Sequence, residues 1–386
     1  MKIGLVHDLY SPIEPGSVGG EDNLVDLEAK LLEEEGHEVK KIVRIFSGTQ
    51  RKLVHFMVTS TGRGLNPLRI QDIRNLEIIH TNNLSLISGY SWLQKSTTPI
   101  VSSFHNYRPL CPIAIAWRDG SICFDCHDKS PFKSITHGCG NKVGFLGAIR
   151  RGIVQKGEPE INHPSHLIFT SQKMAQAYLS RNPSIYYDVL PNPSRLKLML
   201  DNKSAFSADR KGEGFLFAGR LTREKGIMEL LDRWPDEEFL TIAGNGELQE
   251  QVKEFCRLKP NLSFHGTFSP NDPYFYSNFE ALLFPSSWLE GSPLVVIEAI
   301  SMGVPVIATE ISSASELVRQ SQCGVVISQD FSKIELRNAL QEVRVNRESY
   351  RANGIDSGNN EFSPKKWVTS LEAIFTKVLG AHSLQY

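Results

Sequence analysis

The strongest constraint on this chain is one unit repeated along it: a short apolar run, a glycine-bearing loop, then apolar residues at helical spacing. Residues 2–7 form an apolar run with charge on either side and read as a buried strand. A loop with Pro12, Pro15, Gly16, Gly19 and Gly20 follows. Leu24, Leu27 and Leu31 then recur at helical spacing from Glu21 to about Glu35, and Gly36 supplies a stop. Residues 39–45 give the next strand. Strand, glycine loop, helix, strand is the opening of a doubly wound parallel sheet. Further strands are expected at 77–80, 99–105, 166–171 and 188–193, and a polar linker at 194–213. A second series begins at 214–220 and continues at 239–246, 262–266, 280–285, 305–308 and 324–327. A last helix from Ser363 to about Leu379 puts Trp367, Leu371, Ile374 and Phe375 on one side.

Two α/β series of similar length predict two Rossmann-like domains, with ligands at an interdomain cleft beyond the carboxyl ends of the strands. The 386 residues suit two or three domains. A formal charge of -1 argues against a nucleic-acid coat. The longest apolar stretch, near 281–308, is broken by Pro285, Glu290, Pro293, Glu298 and Pro305, so no membrane span is expected. Charge appears too early for a signal-peptide core, so a soluble, cytoplasmic protein is expected.

Two stretches carry chemistry. In Phe284-Pro-Ser-Ser-Trp-Leu-Glu290-Gly-Ser-Pro-Leu-Val-Val-Ile-Glu298, a helix starting near Pro293 makes the turn Gly291–Leu294 an anion or polyol site. Glu290 and Glu298 accept hydrogen bonds from hydroxyls, which points to a sugar nucleotide; a cap and a solvated helix residue are the plainer reading. In Ala218-Gly-Arg220-Leu-Thr-Arg-Glu-Lys225-Gly226, Arg220 offers a bidentate phosphate contact and Lys225 a point charge. A solvated loop is equally compatible with that spacing.

Together these stretches closely resemble the retaining, GT-B glycosyltransferases of family 4 (glycosyl transferases group 1). The resemblance runs from the first strand to the Trp367 helix and includes Gly303-Val-Pro-Val-Ile-Ala308. Glu77-Ile-Ile-His80-Thr-Asn82 looks like a first-domain strand of that family, with Glu77 for its usual Asp. The resemblance implies that Arg220 and Lys225 neutralise the donor diphosphate, Glu298 holds the ribose and Glu290 the donor sugar. It also implies that Gly19 and Gly20 admit donor phosphate and acceptor, and that His105 contacts the transferred sugar. Gly291, Ser292, Pro293 and Leu294 would bind donor, and Gly266 and Thr267 would flank its base. Residues 1–193, completed by the helix 363–386, would bind acceptor, and 194–362 the nucleotide-sugar. Ser292 replaces an aromatic common in relatives, and Ser312-Ser313-Ala314 replaces a double glycine before Glu316.

The expected reaction moves a sugar from a UDP- or GDP-sugar to a hydroxyl acceptor with retention, in polysaccharide or glycolipid assembly. No Asp-x-Asp occurs in the chain, which is consistent with transfer that needs no metal or other cofactor. Two rivals are a non-catalytic nucleotide-binding protein and a nicotinamide-dependent oxidoreductase. The latter lacks Gly-x-Gly-x-x-Gly after the first strand.

Cys111, Cys123, Cys126 and Cys139 cluster within about thirty residues, whereas Cys256 and Cys323 stand alone. One Cys-x-x-Cys with two flanking cysteines offers a tetrahedral structural zinc site, with His105, His127 and His137 as substitutes. Ordinary reduced cysteines or a redox-labile pair are the alternatives. A subset of the family looks similar here. Residues 143–156 mix apolar and basic side chains and read either as a helix on the first sheet or as a peripheral membrane contact near a lipid-linked acceptor.

Overall fold

A computed structural model describes residues 1–10, 20–46, 68–82, 84, 89–130, 132–139, 159–196, 214–268 and 273–384. Gly19, most of the 10–20 loop, the basic stretch 143–156 and most of the linker lie outside the described residues. The chain divides into two compact units. One comprises Met1–Arg118, Ile122–Leu190 and Val368–Tyr386, and the other Asp119–Ser121 with Pro191–Trp367.

The first unit is built on a six-stranded sheet: β1 (Lys2–Tyr10), β2 (Glu38–Phe46), β3 (Ile78–Asn82), β4 (Ile100–Phe104), β7 (His166–Phe169) and β8 (Tyr187–Val189). The order is β2-β1-β3-β4-β7-β8, and every pairing is parallel. β3, β4 and β7 are buried at every position, as expected of parallel strands covered on both faces. Between β4 and β7 lie only short pieces of structure. They are the ribbon of β5 (Trp117–Arg118) and β6 (Ser121–Ile122), and helical turns at Asp125–Asp128, Lys133–Thr136 and Pro159–Asn162. The terminal helix Pro364–Ser383 joins this unit over most of its length. Its Glu372 meets His37 at 2.6 Å, and its Phe375 ring lies 5.5 Å from that of His80.

The second unit carries β9 (Phe215–Ala218), β10 (Leu240–Ala243), β11 (Leu262–Gly266), β12 (Leu282–Phe284), β13 (Val306–Thr309) and β14 (Gly324–Ile327). Their order is β11-β10-β9-β12-β13-β14, all parallel. The alternation of side chains along each strand creates two cores. Leu216, Ala218, Leu282 and Phe284 pack on one face, and Phe215, Phe217 and Leu283 on the other. Burying side chains of this size contributes about 1.5–3 kcal/mol each. The helix Leu294–Ser301 is buried from Val296 to Ser301. It meets the helix Arg347–Asn359 at Gly354 and Gly358, where a Cβ on Gly358 would stand 2.8 Å from the Ser301 Cα.

In this order the strand sequence reverses between β9 and β12. Such a switch point opens a crevice at the carboxyl ends of the strands. The Arg220–Lys225 loop leaves β9 there, and the Glu290 loop leaves β12. Among the described residues, no helix is long and apolar enough to cross a membrane.

Candidate active site

At the switch point, the turn Arg223–Lys225 is clamped to the loop after β12. The Glu224 carbonyl accepts from Ser287 N–H at 2.9 Å and from the Ser286 and Ser287 hydroxyls at 3.3 and 3.2 Å. Gly226, at φ 69°, makes this approach feasible: a Cβ there would stand 2.0 Å from the Pro285 carbonyl oxygen. The clamp aims Lys225 Nζ at Glu290 Oε1, 2.6 Å away. The same oxygen accepts from Ser286 Oγ at 2.8 Å and from Trp288 Nε1 at 2.6 Å. The ammonium also stands over the Phe284 and Trp288 rings at 5.4 and 5.5 Å. Lys225 and Glu290 side chains are 13% and 7% exposed, so this ion pair is largely withdrawn from water.

Arg220 is 57% exposed and its Nη2 lies 3.4 Å from Glu224 Oε1. Its guanidinium therefore remains available to an anion. Gly219, Gly244 and Gly266 end or follow β9, β10 and β11 at positive φ. Gly244 has no room for a side chain, since a Cβ would meet the Gly219 carbonyl oxygen at 1.8 Å. The result is a floor of bare backbone beside the cations. Thr267, beyond Gly266, is exposed.

Gly291 and Ser292 are buried and Pro293 caps the helix that starts at Leu294. Ser292 is held through Oγ, which accepts from the Asn192 N–H at 3.1 Å, and through its carbonyl, which accepts from Asn192 Nδ2 at 2.9 Å. Glu298 does not join Glu290. It is fully buried, its Oε1 accepting from Arg195 Nε at 2.8 Å and from Arg195 Nη2, and its Oε2 from Tyr276 Oη at 2.8 Å. Burial pushes the Glu298 carboxyl upward while Arg195 pulls it down, and burial also raises the Tyr276 phenol well above its ordinary value.

The first unit holds a second polar constellation. Glu28 of the first helix and His80 and Asn82 of β3 are buried. His80 Nδ1 donates to Glu28 Oε1, and His80 Nε2 meets Ser103 Oγ at 2.7 Å. Asn82 Nδ2 donates to Glu28 Oε2 at 2.8 Å, which turns Asn82 Oδ1 toward His105 Nε2, 2.9 Å away. The carboxylate thus fixes the amide, and the amide requires a proton on His105 Nε2. Gly20 is the first residue of the helix Gly20–Glu34.

The sequence singled out Lys225, Glu290 and His105 without their supports. Arg195, Tyr276, Trp288 and Glu28 were not among the expected residues. Trp288 adjoins Glu290 closely enough to have been read locally, but Arg195 lies 103 residues from Glu298.

All four clustered cysteines line one cavity with His137. Burial pushes the Cys126 thiol up to about 12, with Cys111, Cys139 and Cys123 each adding to the rise.

Residues 201–356 match the protein family described as "Glycosyl transferases group 1". The chain is 28% identical over 142 residues to the lipopolysaccharide core biosynthesis mannosyltransferase LpsB of Rhizobium meliloti, covering 36% of this chain and 40% of that protein. It is 29% identical over 201 residues to the capsular polysaccharide biosynthesis glycosyltransferase CapM of Staphylococcus aureus, covering 47% and 52%. The chain thus spans about half or less of the length of these relatives. Among solved structures, Anabaena HepE in complex with UDP superposes with a TM-score of 0.60 at 15% identity, over 98% of this chain and all of that one. The match to the glycosyl transferases group 1 model thus lies within the second unit, and the chain has the two-sheet architecture of the GT-B fold.

Proposed function

We propose that this protein is a glycosyltransferase that moves a sugar from a nucleotide diphosphate-sugar, UDP- or GDP-linked, to a hydroxyl acceptor with retention of configuration. The observation that carries this reading is the Lys225–Glu290 pair at the switch point of the group 1 domain. Breaking the sugar–phosphate bond builds negative charge on the leaving diphosphate. Arg220 and Lys225 are fixed cations for that charge, and a lost donor of this kind typically costs about 3–4 kcal/mol of barrier. Glu290 Oε1 is taken by three donors, which leaves Oε2 to receive hydroxyls of the donor sugar. Glu298 would receive the ribose after Arg195 shifts on it. The first-unit residues would serve the acceptor, with His105 presented to the transferred sugar in the tautomer set by Asn82.

In retaining transfer without a protein nucleophile, the leaving phosphate oxygen takes the acceptor proton on the same face. The cations then do the charge work, and no metal or other cofactor is invoked. The names of LpsB and CapM favour a saccharide or lipid-linked acceptor in surface polysaccharide or lipopolysaccharide assembly, and HepE's complex favours UDP.

The test is a thermal-shift panel with UDP, GDP, ADP and NAD on wild type and on Arg220→Ala/Lys225→Ala. A ligand at about 100 times its dissociation constant adds about 2.7 kcal/mol of stability. One nucleoside diphosphate should stabilise the wild type and not the double variant. A shift with NAD alone, or with none of the four, overturns the assignment.

A further inference from the structure

The stretch from Asn106 to Cys139 holds its shape with little regular structure. β5 and β6 have two residues each, and its two helical turns have four. Compact domains seldom carry such a length without a lid role, a staple or disorder. Short segments with so little core are commonly fixed by disulfides or a structural metal. Here none of the cysteines is in a disulfide.

Four of those thiols, Cys111, Cys123, Cys126 and Cys139, line a single cavity together with His137. The backbone N–H groups of Ile113 and Ala116 reach the Cys111 sulfur, and that of Ser134 reaches Cys126. Around Cys111 the chain holds Ala114, Ala116 and Asp119 at φ 69°, 47° and 50°. Non-glycine residues keep such angles only where the surroundings impose them. Donor atoms of Cys123, Asp125 and His137 lie within 4.8 Å of one another. Asp125 is engaged by Lys129 at 2.9 Å and stands 3.5 Å from His137 Nε2. His137 Nδ1 is buried with no hydrogen-bond partner among the described residues.

We propose that this cavity is a structural zinc site in which Cys111, Cys123, Cys126 and Cys139 bind one Zn²⁺ as thiolates. Binding forms four Zn–S bonds and releases four thiol protons to solvent, with no change of oxidation state. Soft thiolates outcompete the Asp125 carboxylate for zinc. Four protein ligands complete the tetrahedron, so no position remains for water or substrate and the ion's role is to fix the segment. His137 lines the same cavity with Asp125 on its Nε2 side, in the manner of outer-sphere partners.

The experiment is elemental analysis of full-length protein purified without chelator from zinc-supplemented medium, with zinc release followed as an organomercurial titrates the thiols. We expect about one zinc per chain, released in step with thiol modification. Cys123→Ser and Cys126→Ser should lose at least nine-tenths of it, while His137→Asn and Cys256→Ser retain it. Should the serine variants fail to fold, chelator-stripped wild type titrated with Co²⁺ gives a second reading. Intense thiolate-to-cobalt charge transfer with tetrahedral visible bands supports the site, and its absence overturns it. Zinc below a tenth of an equivalent, iron with labile sulfide in its place, or zinc retained by both serine variants each refutes the proposal. Loss of zinc on His137→Asn alone refutes the four-thiolate set.

Discussion

Replacing Lys225 with methionine removes one charge at the switch point and keeps most of the stem. Lys225 Nζ lies 2.6 Å from Glu290 Oε1, with both side chains mostly out of water. At an effective dielectric of about 20, the gross attraction at that distance is about 6 kcal/mol. Desolvation of both ions cancels much of this, and removing one member of a buried pair costs about 3–5 kcal/mol because the other charge is stranded. Here Ser286 and Trp288 continue to donate to the same Glu290 oxygen, which lowers the expected loss to about 2–4 kcal/mol. In a unit of this size each kcal/mol moves the midpoint by about 2–4 °C, so the second unit's thermal transition should fall by about 5–15 °C. Glu290→Gln keeps an oxygen for Ser286 and Trp288, so the double variant Lys225→Met/Glu290→Gln should recover at least half of the loss. Differential scanning calorimetry of wild type, both single variants and the double reads all four corners of the cycle. A Lys225→Met transition within 2 °C of wild type, or a double variant as unstable as the sum of the singles, would refute the buried-pair reasoning.

Gly226→Ala should destabilise the second unit by about 3 kcal/mol or more, since positive φ and a backbone clash coincide there; a urea melt that matches wild type sinks the close-approach argument. On the proposed function, Asn82→Ala should lower the rate of sugar transfer at least tenfold while leaving nucleoside diphosphate affinity unchanged, because it uncouples His105 from Glu28; a weakened nucleotide affinity with an intact rate contradicts it. Burial holds His163 and His166 below the usual histidine range, opposed at His166 by Asp188. The unfolded chain then binds protons that the folded unit refuses, so their contribution is full above about pH 6.5 and is lost as pH falls through the folded values. The His163 ring accepts from Gln94 Nε2 at 3.0 Å only when neutral, and His163→Gln should flatten the fall in stability between about pH 7 and pH 5.

Much of the fold could be read from the sequence because parallel strands buried on both faces leave unbroken apolar runs, and glycines mark their ends. Gly219, Gly244 and Gly266 each end or follow a strand. Lys225 and Glu290 were readable as chemistry, since each sits in a short loop whose composition no core requires. Their partnership across 65 residues was not, because only strand order brings the loops after β9 and β12 together. Glu298 makes the opposite case. An acidic residue eight positions on is spaced for the same cleft, but nothing local to it shows that it lies fully buried on Arg195 and Tyr276. Glu28 was invisible for a related reason: among the leucines of an amphipathic helix, one carboxylate gives no sign that it lies inward with His80 and Asn82.

The first unit takes its last piece from Val368–Tyr386, after the whole of the second has been written. On a ribosome adding about 5–20 residues per second, residues 1–190 emerge and then wait roughly 10–35 s for their closing helix. During that interval His37 lacks Glu372 and the His80 ring lacks its cover by Phe375. The second unit, contiguous apart from three residues, has no such dependency. Synthesis order and folding order are therefore inverted: the later unit can settle first, and the earlier one is exposed to proteases and chaperones until Val368–Tyr386 has emerged.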